Sequence, residues 1–220
     1  MLTATGVGYV LPDGRSLFDG VSLSLRPGEA LAVEGPSGTG KSTLLGILGG
    51  VLTPTAGQVE HRTGRRPPFA WVLQTLNSLA ARTVHDNAAL LSLLDGEPRT
   101  DAYERAARVL ADLGLGERLR SRARNLSGGE LQRVAVARAI SSVRPIVLAD
   151  EPTNQLDRDL ARHVMAALIR SAKKDNRIVV IVTHDHDALP ASCRVARLGP
   201  EGLTELPATG TGGPGEGGLR

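Results

Sequence analysis

Residues 35–42 read GPSGTGKS and fit the pattern G-x-x-x-x-G-K-S/T, in which glycines precede a lysine and a hydroxyl residue. The apolar run ALAVE precedes this stretch, and STLLGIL, with leucines at helical spacing, follows it. Glycines let a backbone fold around a phosphate with its N–H groups pointing inward, and a helix N-terminus adds about half a positive charge. The stretch therefore predicts a strand, a phosphate-binding loop and a helix, with an ordinary glycine-rich turn as the alternative. Lys41 is expected to bridge two phosphates and Ser42 to hold Mg2+.

Two carboxylates, Asp150 and Glu151, follow the apolar run IVLA at the predicted carboxyl end of a buried strand. Ligands of open parallel sheets bind at such strand ends. We expect Asp150 to hold Mg2+, usually through a water, and Glu151 to polarise a water for attack on a terminal phosphate. A DE pair after a strand often caps the next helix instead, so this prediction depends on the phosphate loop in the same chain.

Two further polar residues follow predicted strands. His184 comes after RIVVIVT and is predicted to donate to the terminal phosphate or to orient the water, with a solvated loop histidine as the alternative. Gln74 ends FAWVLQ, and its amide is expected to reach the metal or its water; without the other motifs it would be an ordinary polar surface residue. Three other histidines are assigned no chemical role: His85, His163 and His186.

The order of apolar and helical segments predicts an α/β domain. The runs PIVLAD and RIVVIVTHD, separated by the helical LARHVMAALIRSAKK, are typical of buried parallel strands. Upstream, VSLSL and PGEALAVEG predict two strands joined by a Pro-Gly turn. Short strands are expected between residues 58 and 72, around the polar segment HRTGRRPP, and helices of an inserted lobe between 78 and 124. Residues 207–220 have almost nothing to bury and are predicted to be disordered.

Composition limits the class of protein. The 220 residues suffice for one large domain, or a domain with an inserted lobe, but not for a second catalytic domain. The net charge is +3, and only three of the 26 basic residues are lysine, which disfavours a nucleic-acid patch. Cys193 is the only cysteine, so a reducing cytosol is expected. We expect a soluble chain, because we see no signal region and no apolar run near the roughly 20 residues that span a bilayer.

Residues 125–133 read NLSGGELQR and place two glycines directly before ELQRVAVARAI, a segment with good helix formers and apolar spacing. Adjacent glycines at that position cost conformational order. One interpretation is a flexible helix start in which Ser127 is the N-cap. The other is that Gly128 and Gly129 allow close approach of the backbone to another molecule. The local sequence leaves both interpretations open.

The segments GPSGTGKS, Gln74, LSGGE, VLADEPT, NQLD and His184 occur in the order that is typical of the ATP-binding cassette (ABC) family of ATPases. The chain resembles this family from about residue 3 to about residue 197, and six separate motifs agree in identity and order. The resemblance implies an α/β fold: a P-loop NTPase core with a mainly parallel sheet, an N-terminal antiparallel β-subdomain and an inserted helical lobe. The ATP-binding domain is expected at residues 1–206, with the lobe at about residues 77–128.

The resemblance implies that LSGGE belongs to no site within its own chain. In this family the segment faces the phosphate loop of a second subunit, and two ATP molecules lie between two subunits in a head-to-tail dimer. Ser127, Gly128 and Gly129 would then approach a γ-phosphate across the interface. Asp157, in NQLD, resembles the loop that links the two sites. Tyr9 resembles the aromatic residue that stacks on adenine, although it could equally be a packed strand residue.

Three groups of site residues follow from the resemblance, with ATP and Mg2+ as the implied ligands. The catalytic residues are Glu151 and His184, and the metal-binding residues are Ser42, Gln74 and Asp150. The nucleotide-binding residues are Tyr9, Gly35, Pro36, Ser37, Gly38, Thr39, Gly40, Lys41, Ser42, Thr43, Gln74, Ser127, Gly128, Gly129, Glu130 and Asp157.

The implied function is hydrolysis of ATP by a subunit that dimerises on ATP and energises a separate membrane permease. The implied partners are a second copy of the chain, as a homodimer, and an integral membrane permease at the cytoplasmic face of the cell membrane. The segment TVHDNAALL resembles the part of the lobe that receives the permease's coupling helix; the family often has Glu before the Asn, and this chain has Asp86. The chain looks most like the small cassettes of the lipoprotein-release, macrolide-efflux and cell-division types.

Two alternatives share these motifs. An ABC-type ATPase that transports nothing, and instead signals to or regulates a membrane-bound partner, would use the same residues. A DNA-repair or ribosome-associated ABC protein is disfavoured, because the chain has neither a long heptad insertion nor a second cassette, and no nucleic-acid partner is expected. The basic stretches RTGRR and RLRSRAR are predicted to be solvated surface, with contact to acidic lipid headgroups or the partner as the alternative for the second.

Overall fold

The computed structural model describes residues 1–62, 69–74 and 77–206. The elements in chain order are β1 (Leu2–Val10), β2 (Ser16–Leu25), β3 (Ala30–Glu34), α1 (Lys41–Leu48), β4 (Ala56–His61), β5 (Phe69–Val72), α2 (Val84–Leu94), α3 (Arg99–Asp112), α4 (Gly128–Ser141), β6 (Ile146–Asp150), α5 (Arg158–Lys174), β7 (Ile178–Val182), β8 (Arg194–Gly199) and β9 (Gly202–Glu205).

A six-stranded sheet forms the centre of the fold, with strand order β5-β6-β7-β3-β8-β9. The first five strands are parallel, and β9 returns antiparallel to β8. Because the strands are parallel, their carboxyl ends share one edge. In this register Asp150 pairs with Val182, and Glu34 pairs with Arg197. The ends of β3, β6 and β7 therefore bring together loops that are far apart in sequence.

Both faces of this sheet are buried, which explains the uninterrupted apolar runs in β6 and β7. On one face, Val147 and Val179 belong to a core shared with α2, α3, α4 and α5. On the other face, Leu148 and Val180 belong to a core shared with α1 and the antiparallel strands. Alternate residues of each strand thus enter opposite cores, as the two-residue period of a strand requires.

A separate antiparallel sheet has the order β2-β1-β4 and packs on the second core. The two strands predicted on either side of the Pro-Gly turn are confirmed as β2 and β3, but they lie in different sheets. The turn itself is closed by a hydrogen bond from the Glu29 N–H to the Arg26 carbonyl at 3.0 Å. The β-subdomain is therefore continuous in sequence with the strand that carries the phosphate loop.

The helices α2 and α3 pack against α4 and form a lobe at one side of the parallel sheet. A buried arginine joins α4 to this lobe, since Arg138 Nη2 donates to Asn87 Oδ1 at 2.8 Å and Nη1 donates to the Asn77 carbonyl at 2.9 Å. The Asn87 side chain also donates to the carbonyls of Leu79 and Thr83. These bonds hold residues 77–79 against α2 and α4.

The predicted fold class is confirmed: a mainly parallel α/β core, an N-terminal antiparallel sheet and a helical lobe. The short strands expected between residues 58 and 72 are confirmed as β4, which begins two residues earlier at Ala56, and β5, while residues 63–68 lie outside the described residues. The predicted disorder of residues 207–220 also falls outside them, and the domain limit at residue 206 stays a prediction. Across the described ranges, no helix has the length and apolar character that a bilayer crossing requires.

Candidate active site

The loop at residues 35–40 connects the end of β3 to the start of α1. Gly38 and Gly40 have φ angles of 83° and 91°, in the left-handed region that favours glycine. A side chain on Gly40 would also lie 3.0 Å from the ring of Phe18. Lys41 is buried, and its Nζ donates to the carbonyls of Gly35 at 2.8 Å and Pro36 at 3.0 Å. The ammonium group is therefore held against the loop.

The start of α1 fits a phosphate ligand. Its N-cap is Gly40, which has no side chain to accept the first backbone N–H groups of the helix. The N-caps of α2, α4 and α5 are Thr83, Ser127 and Asp157, and each accepts a backbone N–H, whereas Pro98 at the start of α3 does not. Free N–H groups, the positive end of the helix dipole and the Lys41 ammonium at one point form a site for an anion.

The donors for a metal ion also meet here. Ser42 Oγ donates to Asp150 Oδ1 at 3.1 Å, although the two residues are 108 positions apart. Burial raises the pKa of Asp150, the Ser42 hydrogen bond opposes this, and neighbouring Glu151 adds to it. A carboxylate destabilised by burial, beside a hydroxyl at the phosphate loop, suits a hard cation that prefers oxygen ligands. Gln74 lies exposed just after β5, and its proposed place in this set stays a prediction.

Glu151 and His184 form the second pair of the site. His184 Nδ1 lies 2.9 Å from Glu151 Oε2, and the His184 backbone N–H donates to the same oxygen at 3.4 Å. The Glu151 side chain is 13% exposed and that of His184 is 64% exposed, so the pair lies at the surface of the cleft. The ends of β6 and β7 place both residues because those strands are neighbours. The two predicted catalytic residues are thus in contact.

The backbone of Glu151 is strained. Its φ angle is 47°, and Asn176 is the other non-glycine residue with positive φ in the described ranges. A non-glycine residue in this conformation costs about 1 kcal/mol or more and persists only when its surroundings enforce it. One constraint is the hydrogen bond from the Glu151 N–H to the Val182 carbonyl at 2.9 Å. Strain of this kind at a carboxylate beside the phosphate loop is typical of a functional position.

A charged cluster that the sequence analysis missed lies beside the phosphate loop. Glu34, buried at the end of β3, pairs with His186 Nδ1 and with Arg197 Nη2, each at 2.8 Å. Burial opposes ionisation of Glu34, but the hydrogen bonds from Arg197 and His186 leave its pKa below the ordinary value. His184 and Gly35 join this cluster in lining a cavity of about 560 Å3. In the sequence, Glu34 is visible as a carboxylate at the end of the apolar run ALAVE. The sequence does not show which residues pair with Glu34, because they are more than 150 positions away.

The LSGGE segment begins α4. Ser127 and Glu130 form a capping box, in which Ser127 Oγ accepts the Glu130 N–H and Glu130 Oε2 accepts the Ser127 N–H at 2.8 Å. The bond from the Ser127 N–H is the main reason that the pKa of Glu130 is lowered, and the Ser127 hydroxyl, which donates to Glu130 Oε2 at 3.0 Å, adds to the effect. The interpretation of Ser127 as an N-cap is confirmed. A side chain added to Gly128 would lie 2.2 Å from Gln155 Oε1, so the glycine also permits a close contact within the chain.

Two predicted binding residues have structural roles of their own. Asp157 caps α5, because its Oδ1 accepts the Leu160 N–H at 3.0 Å. Tyr9 lies on β1 opposite Phe18 and packs, partly buried, against the second core. The packed-strand interpretation of Tyr9 therefore agrees with the structure. Its contact with adenine, and the role of Asp157 between two sites, stay predictions.

The ABC transporter family model matches residues 18–154. The lipoprotein-releasing system ATP-binding protein LolD of Chromohalobacter salexigens is 37% identical over 93% of this chain and 93% of its own length. The macrolide export ATP-binding/permease protein MacB of Marinobacter nauticus is 36% identical over 86% of this chain, but 31% of its own length. An uncharacterized ABC transporter ATP-binding protein of Mycobacterium bovis is 39% identical over 83% of this chain and 59% of its own length. The chain thus spans less than two thirds of the length of the last two relatives.

Solved structures give the same assignment. The dimeric structure of MJ0796, a bacterial ABC transporter cassette, has a TM-score of 0.82 and 29% identity over 96% of this chain and 100% of that one. A dimeric post-hydrolysis state of the same cassette, bound to ADP and Pi, has a TM-score of 0.81. The fold also contains the phosphate loop, the neighbouring ends of β6 and β7 with their polar residues, and the LSGGE helix. Together with these features, the matches show that the chain belongs to the ABC transporter family as an ATP-binding cassette.

Proposed function

We propose that the protein is an ATP-hydrolysing subunit that dimerises on ATP and energises a separate membrane permease for transport. The observation that carries the proposal is the contact of Glu151 with His184 at 2.9 Å, beside a phosphate loop whose Ser42 contacts Asp150 at 3.1 Å. These two pairs supply, at one sheet edge, groups for activating water and for holding a metal ion. Membership of the ABC transporter family supports the reaction class.

Each residue of the site has a definite part in this proposal. Lys41 and the N–H groups at the start of α1 bind the phosphates of ATP and orient the terminal phosphate. Ser42 and Asp150 would hold Mg2+, with Gln74 completing the set through its amide. When bound, the metal ion neutralises negative charge on the phosphates. Glu151 accepts a proton from the attacking water, and His184 holds the Glu151 carboxylate and donates to the terminal phosphate.

The dimer requires a surface that each copy leaves open. Ser127 and Gly128 begin a helix and are exposed, and their side of α4 is available to a second molecule. In the proposed dimer, this surface contacts the nucleotide on the phosphate loop of the other copy. Contacts to the terminal phosphate from both copies exist before hydrolysis and are lost after it, so the nucleotide shifts the equilibrium between closed and open states. The solved MJ0796 cassettes are dimeric, which supports this step.

A partner in the membrane is proposed from the names of similar cassettes. The names of LolD and MacB relatives connect similar cassettes to lipoprotein release and to macrolide export by a permease. We infer a peripheral position at the cytoplasmic face of the membrane, with the lobe of α2 and α3 toward the permease. The second candidate is a cassette that signals to a membrane-bound partner; it uses the same ATPase site, and a transport assay in reconstituted vesicles separates the two.

Replacement of the proposed base tests the ATPase and the dimer together. In the Glu151→Gln variant the amide keeps the shape of the side chain but is a far weaker base, so ATP binding persists and turnover falls about 100-fold or more. We expect an ATP-bound dimer to accumulate, measured by sedimentation velocity with Mg2+ and ATP. Lys41→Ala is the matched control, since it should lose both nucleotide binding and the dimer. Steady-state turnover at the normal rate in Glu151→Gln would contradict the assigned role.

A further inference from the structure

A buried amide lies between the LSGGE helix and the loop of the proposed base. Gln132, in the first turns of α4, is 1% exposed. Its Nε2 donates to the Glu151 carbonyl at 3.0 Å and to Asn154 Oδ1 at 2.7 Å, and its Oε1 accepts the Gln155 N–H at 3.0 Å. Both N–H groups and the oxygen of the Gln132 amide thus form hydrogen bonds to one loop, residues 151–155.

These bonds fall at the point where the backbone is strained. Glu151 has a φ angle of 47°, and a residue in that conformation needs contacts that enforce it. The Glu151 N–H is held by the Val182 carbonyl of the neighbouring strand. The Glu151 carbonyl accepts from Gln132 Nε2 at 3.0 Å and, at the longer distance of 3.5 Å, from the Asn154 N–H. The direction of the Glu151 side chain follows from this peptide geometry. Loss of the Gln132 bond, the shorter of the two to this carbonyl, would free the loop to relax toward an unstrained φ and to move the carboxylate away from His184.

We propose that Gln132 is a positioning residue for hydrolysis, which holds Glu151 in its strained conformation and fixes the loop at residues 151–155 to the helix that begins at Ser127. The inference deepens the proposed function and rests on it. Gln132 does not contact nucleotide in this proposal; it acts through the backbone of Glu151 and through Asn154. Because α4 begins with the surface that faces the second copy, the same amide ties the position of the base to that surface.

The Gln132→Met variant tests the role, because methionine keeps the length of the side chain and removes its hydrogen bonds. A displaced carboxylate should lower kcat about 100-fold. The phosphate loop is untouched, so KM for ATP should stay within about threefold. Val134→Ala is the matched control, because Val134 lies on the same helix, is fully buried and packs in the hydrophobic core. It should lose stability without the loss in kcat.

A second variant gives a pH dependence of kcat that a change in packing alone would not produce. In Gln132→Glu, an ionised carboxylate would face the Glu151 carbonyl and Asn154 Oδ1, both acceptors, and would repel them. Burial raises the pKa of the introduced carboxyl, and its protonated form can donate where Nε2 donated. The kcat of this variant relative to the wild type should therefore rise as the pH falls from about 8 to about 6. The same ratio for Gln132→Met should stay flat.

The results separate this inference from the proposed function. The proposed function is tested by wild-type hydrolysis and by the Glu151→Gln dimer, and both tests are independent of the role of Gln132. If the wild type hydrolyses ATP and Gln132→Met keeps its kcat, or loses no more than Val134→Ala at equal stability, the positioning role is wrong. A flat ratio for Gln132→Glu would also overturn it. Should Gln132→Met fail to fold, the pH dependence of Gln132→Glu tests the inference by itself, because it compares two protonation states of one folded variant.

Discussion

At the scale of single residues, Gly128 has two explanations that can be separated. Within the chain, its missing side chain lets Gln155 Oε1 approach. Gln155 is exposed and its amide is the flexible end of a side chain, so it can rotate away from an added methyl group. The intrachain contact alone therefore does not require glycine. The proposed approach of a second copy and its nucleotide does, because the methyl group would stand at the start of the helix.

We predict that Gly128→Ala folds normally and fails to dimerise. The change in the free energy of unfolding should stay within about 1 kcal/mol, since alanine is a better helix residue than glycine and offsets the displaced Gln155. In a Glu151→Gln background, sedimentation velocity with Mg2+ and ATP should show monomers. Gly116→Ala is the control, because its added methyl group meets Ala111 at an ordinary 3.6 Å. A full yield of dimer from Gly128→Ala would remove Gly128 from the interface.

Which residues the sequence could identify depends on how local their signals are. Lys41, Ser42 and the Asp150–Glu151 pair stand in short motifs whose chemistry is readable from neighbours in the chain. Glu34 and His186 stand in no such motif, and their 2.8 Å contact joins positions 152 residues apart. Gln132 was equally unpredictable, because its bonds depend on the packing of α4 against the loop after β6. Tertiary contacts between polar side chains have no periodicity that a sequence can display.

At the scale of elements, the start of α2 is fixed by a charged network. Thr83 Oγ1 accepts the Asp86 N–H at 3.0 Å, Asp86 Oδ2 accepts the Thr83 N–H, and Tyr103 Oη of α3 donates to Asp86 Oδ1 at 2.6 Å. The Tyr103 hydrogen bond is the main reason that the pKa of Asp86 lies below its ordinary value. The lobe thus contains an interhelical bond whose strength depends on ionisation.

We predict that Tyr103→Phe destabilises the protein by about 1.5–3 kcal/mol near neutral pH, the net value of a hydrogen bond to a charged group. Phenylalanine keeps the edge contact with His85 and the ring under Arg99. Since the folded pKa of Asp86 is lowered, its contribution is complete above the unfolded value near 3.8 and is lost as the pH falls through the folded value. Urea unfolding of both proteins should therefore show a difference that shrinks below that pH. A difference constant with pH would argue against the charged bond.

Elements themselves were largely predictable, and their order in the sheet was not. Apolar runs in β6 and β7 and the helical period of α5 identified type and approximate limits, because burial on two faces leaves a strong local pattern. The placement of β3 between β7 and β8 follows from crossover connections, which no short segment encodes. The antiparallel β9 also carried no usable signal, since two of its four residues are exposed.

At the scale of the whole molecule, the proposed dimer depends on a metal ion that each copy would hold at Ser42 and Asp150. We predict that a chelator of divalent cations abolishes hydrolysis and dissociates the Glu151→Gln dimer, and that added Mg2+ restores both. The physical reason is repulsion: without the cation, the phosphates face the partly buried carboxylate of Asp150 directly. Light scattering before and after chelation measures the effect. A dimer that persists without divalent cations would show that the phosphates are neutralised by the protein alone.

The buried position of Cys193 has a practical consequence for following such a cycle. It is the sole thiol of the chain, it is 4% exposed, and burial raises its pKa, so at neutral pH it offers little thiolate to alkylating reagents. A cysteine introduced on the surface would therefore react selectively with a maleimide fluorophore or spin label while the native sulfur stays protected. Distances between labels on two copies could then be recorded during turnover without first removing any native residue.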